Sequence, residues 1–175
     1  MRKLSHQEIV ARQKERMKIP RVPLCVVLNN IRSAHNVGSI FRTCDGAGIE
    51  KVWLCGITGY PPNAQITKTA LGAEQHVDWE YREDIYSLVK ELKDRGYQIV
   101  LLEQTEKSVL YQDFKPKGPV CLVVGNEVSG VCETLTSLCD QAIEIEMDGV
   151  KNSLNVSVAF GIVAYYLRNL IIKRK

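Results

Sequence analysis

The sequence predicts an α/β domain with a mostly parallel sheet and helices on both faces. Two observations predict it. Short apolar runs at 24–28, 51–55, 98–102 and 120–124 read as buried strands. Helical stretches alternate with these runs along the chain, the pattern of strand–helix–strand units. A length of 175 residues fits one domain with a sizeable core and a short extension.

The elements follow in order. Residues 1–20 read as a basic, moderately amphipathic helix that stops at Pro20 and Pro23. We expect it to be an extension, with residues 21–175 forming the main domain. After the strand at 24–28, a polar loop over 29–38 leads into a helix. There Val37, Ile40, Phe41 and Cys44 form one apolar stripe, and Gly46 and Gly48 mark the end. At about 100° per residue Arg42 points away from that stripe, toward solvent, a ligand or another subunit. The strand at 51–55 is followed by a long loop over 56–72, a length that often signals function. A short strand is expected at 76–79. Residues 84–95 form an amphipathic helix with Ile85, Leu88, Val89 and Leu92 on its core face, Asp84 as cap and Gly96 as stop. A short helix at 131–139 and a strand at 142–145 precede an apolar terminal helix running to about Leu170.

Net charge is only +3, so bulk charge does not call for a polyanion. Its distribution says more. Arg2, Lys3, Arg12, Lys14, Arg16, Lys18 and Arg21 face only Glu8 and Glu15, and the chain closes on Lys173, Arg174 and Lys175. The six cysteines form no C-x-x-C pair and lack a His-rich partner segment, so no zinc or other metal site is expected. Most sit in apolar runs as small core residues. The charged N-terminus has no apolar signal core, which leads us to expect a cytoplasmic setting. The terminal helix is the sole membrane candidate, but residues 152–167 include several polar groups and fall short of the roughly 20 apolar residues of a span. It reads as a buried helix or a subunit interface, with no membrane partner.

The mouth of that helix carries Asn152, Ser153, Asn155 and Ser157, more polar groups than one cap requires. Two further segments sit where a strand gives way to a loop or helix: Asn36-Val-Gly-Ser-Ile-Phe-Arg-Thr43 and Leu122-Val-Val-Gly-Asn-Glu-Val-Ser-Gly130. Ligands of open α/β sheets bind at such carboxyl ends. Taken alone, Gly125 after its strand could be a dinucleotide turn, but the G-x-G-x-x-G spacing is missing. A small-molecule NAD enzyme is therefore a distant reading.

Together the three segments resemble the SpoU/TrmH branch of the SPOUT RNA methyltransferases over residues 22–172. That family's motifs run N-x-G-x-x-x-R-T, then G-N-E-x-x-G after an apolar strand, then S-L-N-V-S-x-A. The matching residues are Asn36, Gly38, Arg42 and Thr43; Gly125, Asn126, Glu127 and Gly130; and Ser153, Leu154, Asn155, Val156, Ser157 and Ala159.

The resemblance implies methyl transfer from S-adenosyl-L-methionine, usually to a ribose 2′-hydroxyl of tRNA or rRNA. It implies a C-terminal deep trefoil knot, which general topology rules would not suggest, with the 145–159 stretch threaded. Asn36, Arg42, Glu127, Ser153 and Asn155 match the family's functional positions. Gly125, Ile145 and Leu154 would line the adenosyl site, with Met147 and the turn from Leu102 to Gln104 nearby. Family members are usually homodimers whose active site is completed across the interface, so Arg42 would enter the partner's site. Arg32, Lys68 and the basic arm, including Arg12 and Arg16, are then candidates for RNA phosphates. His35 is a candidate RNA contact or a locally paired loop histidine. No aromatic stacking platform is visible. Members that act on rRNA often carry an extra N-terminal RNA-binding domain; the short basic extension here favours tRNA. The alternatives are a 23S rRNA ribose, a base nitrogen, or a non-catalytic RNA-binding protein with a vestigial cofactor pocket.

Overall fold

A computed structural model describes residues 1–173. The basic termini expected from the sequence therefore extend to Arg174 and Lys175, which lie outside the described residues. The chain runs α1 (His6–Met17), β1 (Val22–Asn29), α2 (Ala34–Ala47), β2 (Ile49–Cys55), α3 (Ala64–Ala70), β3 (Asp78–Arg82), α4 (Ile85–Asp94), β4 (Gln98–Leu102), β5 (Val109–Leu110), β6 (Val120–Val124), α5 (Glu133–Thr136), β7 (Gln141–Glu144) and α6 (Val156–Lys173). The strands form one sheet in the order β3-β2-β1-β6-β4-β7-β5, and every pairing is parallel.

Alternation along each strand splits the core between two faces. On β1, Leu24, Val26 and Leu28 point to the layer that contains α2, α3 and α6. Cys25 and Val27 point to the layer of α4 and α5. The predicted stripe Val37, Ile40, Phe41 and Cys44 is fully buried. Cys25, Cys44, Cys55 and Cys121 are buried free thiols, whereas Cys132 is exposed and Cys139 half-buried.

Several boundaries differ from the expectation. Helix α2 begins at Ala34 because Ser33 caps it, its hydroxyl accepting the Asn36 N–H at 3.3 Å. Gly46 lies inside α2, and Gly48, at φ 68°, ends it. The 56–72 loop contains α3, capped by Asn63, whose side chain accepts the N–H groups of Gln65 and Ile66. Strand β3 sits two residues later than expected, in register with β2. Helix α5 is a single turn. Strand β5 has only two residues and carried no periodic signal.

Helix α6 was expected to be apolar on nearly every side, as a buried helix or a subunit interface. Within this chain one stripe is buried, formed by Phe160, Val163, Ala164, Leu167 and Ile171. Val158, Ile162, Tyr165 and Ile172 are exposed. The helix is long and apolar enough by composition to cross a membrane, yet its buried stripe packs into the α2–sheet layer. Helix α1 buries no residue; a Ser5–Glu8 capping box and an Arg2–Glu8 ion pair stabilise its start.

Candidate functional site

A cleft of about 540 Å³ opens at the carboxyl ends of β4, β6 and β7. Its walls are the 102–104 turn after β4, the 124–130 turn after β6, residues 144, 145 and 147 after β7, and the 152–156 segment entering α6. The turn after β6 is tight: the Asn126 and Gly130 backbones exchange two hydrogen bonds, at 3.2 and 3.0 Å. A Cβ on Gly125 would lie 2.5 Å from Val131 Cγ2 and 2.7 Å from the Gly130 carbonyl carbon, so only glycine allows the closure. The Asn126 side chain holds the turn by accepting from Val128 and Ser129 and donating to the Asn30 carbonyl at 2.8 Å.

All five predicted cofactor residues, Leu102, Gly125, Ile145, Met147 and Leu154, line this cleft, together with Glu127, Ser153 and Asn155. The apolar side chains among them offer surface to a flat ring. Sequence reasoning included Glu103 only as part of the 102–104 turn and did not assign Asn126 a task, although Asn126 lies within the second motif. Glu103 carries no motif signal. It joins the wall because β4 ends beside β6, and its carboxylate packs 2.5 Å from where a Gly130 Cβ would stand.

Glu127 draws three segments together. Its carboxylate accepts the Arg32 N–H at 2.9 Å, the Ser33 N–H at 3.1 Å and the Asn36 amide at 2.9 Å. Burial pushes its carboxyl pKa up, but the hydrogen bonds from Arg32 and Asn36, with those of its own N–H and of Ser33, outweigh that and hold it below the usual carboxylate range. Asn36 Oδ1 in turn accepts the Asn155 amide at 3.0 Å. Asn155 also caps α6, its Oδ1 accepting the N–H and hydroxyl of Ser157. One chain of hydrogen bonds thus joins the three motif segments. Ser153 lines the cleft and makes no hydrogen bond among the described residues.

Arg42 stands elsewhere. As its helical position predicts, it is exposed on α2, and it lines a second concavity of about 490 Å³ with Ser39, Thr43, Lys68, Thr69, Leu71 and Tyr165. Glu127 makes no contact with Arg42 among the described residues; it fixes the 32–36 loop, which presents two backbone donors. Arg32 is exposed beside that loop, and Arg12 and Arg16 project from α1. His35 is exposed, and its carbonyl accepts the Thr69 hydroxyl at 3.1 Å. The structure also gathers three aromatic rings that the sequence did not announce. Tyr60 stacks on Trp79 and tilts on Tyr81, at 6.4 and 4.9 Å between ring centroids, residues too far apart in sequence to show as a group.

The SpoU rRNA Methylase family model matches residues 23–165. A protein from Aquifex aeolicus named tRNA (guanosine(18)-2′-O)-methyltransferase is 35% identical over 144 residues, which are 81% of this chain and 67% of that protein. The crystal structure of an A. aeolicus TrmH/SpoU tRNA modifying enzyme superposes with a TM-score of 0.82 at 29% identity, covering 95% of this chain and 86% of that one. An AdoMet-bound rRNA methyltransferase from Sinorhizobium meliloti gives a TM-score of 0.79 at 26% identity over 83% of this chain and 56% of that one. The chain spans about three fifths of the length of several curated relatives that it matches.

Proposed function

The chain belongs to the SpoU rRNA methylase family, and on that premise we propose that it is an S-adenosylmethionine-dependent methyltransferase acting on a ribose 2′-hydroxyl of RNA. The observation that carries this reading is the cleft. Its volume lies in the range of small-molecule sites, its walls combine apolar side chains with backbone polar groups, and the Glu127–Asn36–Asn155 chain borders it. Those features suit an adenosyl group, held by Gly125, Ile145, Leu154, Leu102 and Met147. Among similar structures, the S. meliloti rRNA methyltransferase carries AdoMet.

When bound, S-adenosylmethionine supplies an electrophilic methyl on a sulfonium. The protein's task is to align the ribose oxygen with it and to ease departure of the hydroxyl proton. The Arg42 guanidinium holds the neighbouring RNA phosphate through two parallel N–H groups. That phosphate, or water, takes the hydroxyl proton. Asn36 and Asn155 orient the ribose from their shared hydrogen bond, Glu127 keeps Asn36 in place, and Ser153 offers a free hydroxyl to the substrate.

Arg42 lies outside the cleft of its own chain, so in our reading it completes a partner's site in a homodimer. The exposed apolar face of α6, with Val158, Ile162 and Ile172, is the surface we assign to that contact. A sedimentation experiment should give twice the chain mass; a monomer at micromolar concentration contradicts it. We also read the C-terminal segment as threaded through the 103–119 connection. Two contacts support that reading: Gln104 Nε2 donates to the Asn152 carbonyl at 2.6 Å, and the Tyr166 hydroxyl donates to the Gln112 carbonyl. A crystal structure traced through residues 103–166 tests the threading. Arg32, Lys68, Arg12 and Arg16 are the proposed phosphate contacts, with α1 as a basic arm on the 21–175 domain. The free buried thiols suit a reducing cytoplasm.

Calorimetry with S-adenosylmethionine and transfer of labelled methyl to RNA test the reading together. We expect saturable binding and RNA-dependent transfer. Absence of cofactor binding would instead favour a non-catalytic RNA-binding protein.

A further inference from the structure

The second concavity carries positive charge only. Two cations line it, Arg42 from α2 and Lys68 from the last turn of α3, and no carboxylate does. Neither cation has an ion pair or side-chain hydrogen bond among the described residues. Elsewhere Lys51, Arg82, Lys93 and Arg95 each face a carboxylate. Thr43 and Thr69 have already given their hydroxyl protons to the Ser39 and His35 carbonyls, so they cannot donate to a ligand. The Tyr165 hydroxyl of α6 has no such bond among the described residues and remains a free donor.

The spacing of the two cations is set by backbone packing. A Cβ on Gly38 would lie 2.1 Å from Thr69 Oγ1 and 2.4 Å from the Ile66 carbonyl. The glycine of the first motif therefore lets α3 dock directly on α2, one turn before Arg42. That docking carries Lys68 to the rim where Arg42 emerges. A lysine on a flexible loop would lose this placement.

We propose that Lys68 and the Tyr165 hydroxyl join Arg42 on one RNA phosphodiester. Lys68 acts as a positioning residue, fixing the phosphate so that the 2′-hydroxyl beside it meets the methyl donor. This rests on the methyltransferase reading above. Guanidinium supplies two parallel donors, ammonium a point charge and the phenol a neutral donor, a set that matches a tetrahedral oxyanion.

The test measures methyl transfer by the full chain to unmodified RNA from a strain lacking this protein, at several salt concentrations. Lys68→Gln should raise the RNA KM about tenfold. Its log KM against log salt should be shallower by about one unit, because one phosphate contact is lost. Tyr165→Phe should raise KM with an unchanged salt slope, because the lost donor is uncharged. Lys68→Arg should restore most of the loss, and the calorimetric affinity for S-adenosylmethionine should stay at the wild-type value. A Lys68→Gln protein with wild-type KM and slope overturns the proposal. Wild-type protein that methylates no RNA overturns the methyltransferase reading instead.

Discussion

Glu127 is exposed, yet it accepts three hydrogen bonds that pin the loop before α2 to the turn after β6. Its folded pKa is depressed, so its contribution is present above the unfolded value of about 4.3 and is lost as pH falls through the folded value. Acidification below about pH 4.3 should therefore destabilise the wild type more steeply than Glu127→Gln. At pH 7 the variant should be less stable by about 1 kcal/mol, toward the low end for a charged acceptor because solvent screens it. Denaturant titrations across pH measure both, and parallel profiles would contradict the assignment. The motif made Glu127, Asn36 and Asn155 visible in the sequence, but not the bond pattern. Two of the Glu127 donors are backbone N–H groups of Arg32 and Ser33, and a backbone donor leaves no trace in side-chain identity. Ser153 illustrates the converse: a motif residue that lines the cleft without a hydrogen bond among the described residues.

Helix α3 was hidden by its punctuation. Pro61, Pro62 and Asn63 read as loop, yet Asn63 is also a strong N-cap, and a seven-residue helix is too short to establish a period. Its importance lies in the contact with Gly38, where the two helices approach backbone to backbone. Gly38→Ala should lower stability by about 1–3 kcal/mol through overpacking, measured by chemical denaturation, and should weaken RNA methylation by shifting Lys68. An alanine variant as stable as wild type would show that α3 yields at no cost. The α2 and α4 stripes were legible because each keeps one apolar face over several turns. Helix α6 misled for the opposite reason. Apolar residues on all its sides cannot reveal which face packs on the sheet and which stays exposed.

At the scale of the molecule, alternation of strand and helix announced a parallel sheet, and continuous apolar runs announced strands covered on both faces. The strand order did not follow from pattern, because β6 inserts between β1 and β4, and β7 beyond β4, through pairings distant in sequence. That order creates the function-bearing arrangement. It brings the ends of β4, β6 and β7 together as a cleft with Glu103, Glu127 and Glu144 in its walls, while Arg42 and Lys68 sit in a separate basic concavity. Such segregation suits a cationic methyl donor on one side and an RNA phosphate on the other. The central claim is that this arrangement methylates a ribose oxygen. RNA from a strain lacking the protein, treated with the purified chain and labelled S-adenosylmethionine, can be digested to nucleosides and mapped by mass spectrometry. The account predicts label on a 2′-O-methylated ribose; label on a base, or none in RNA, would contradict it.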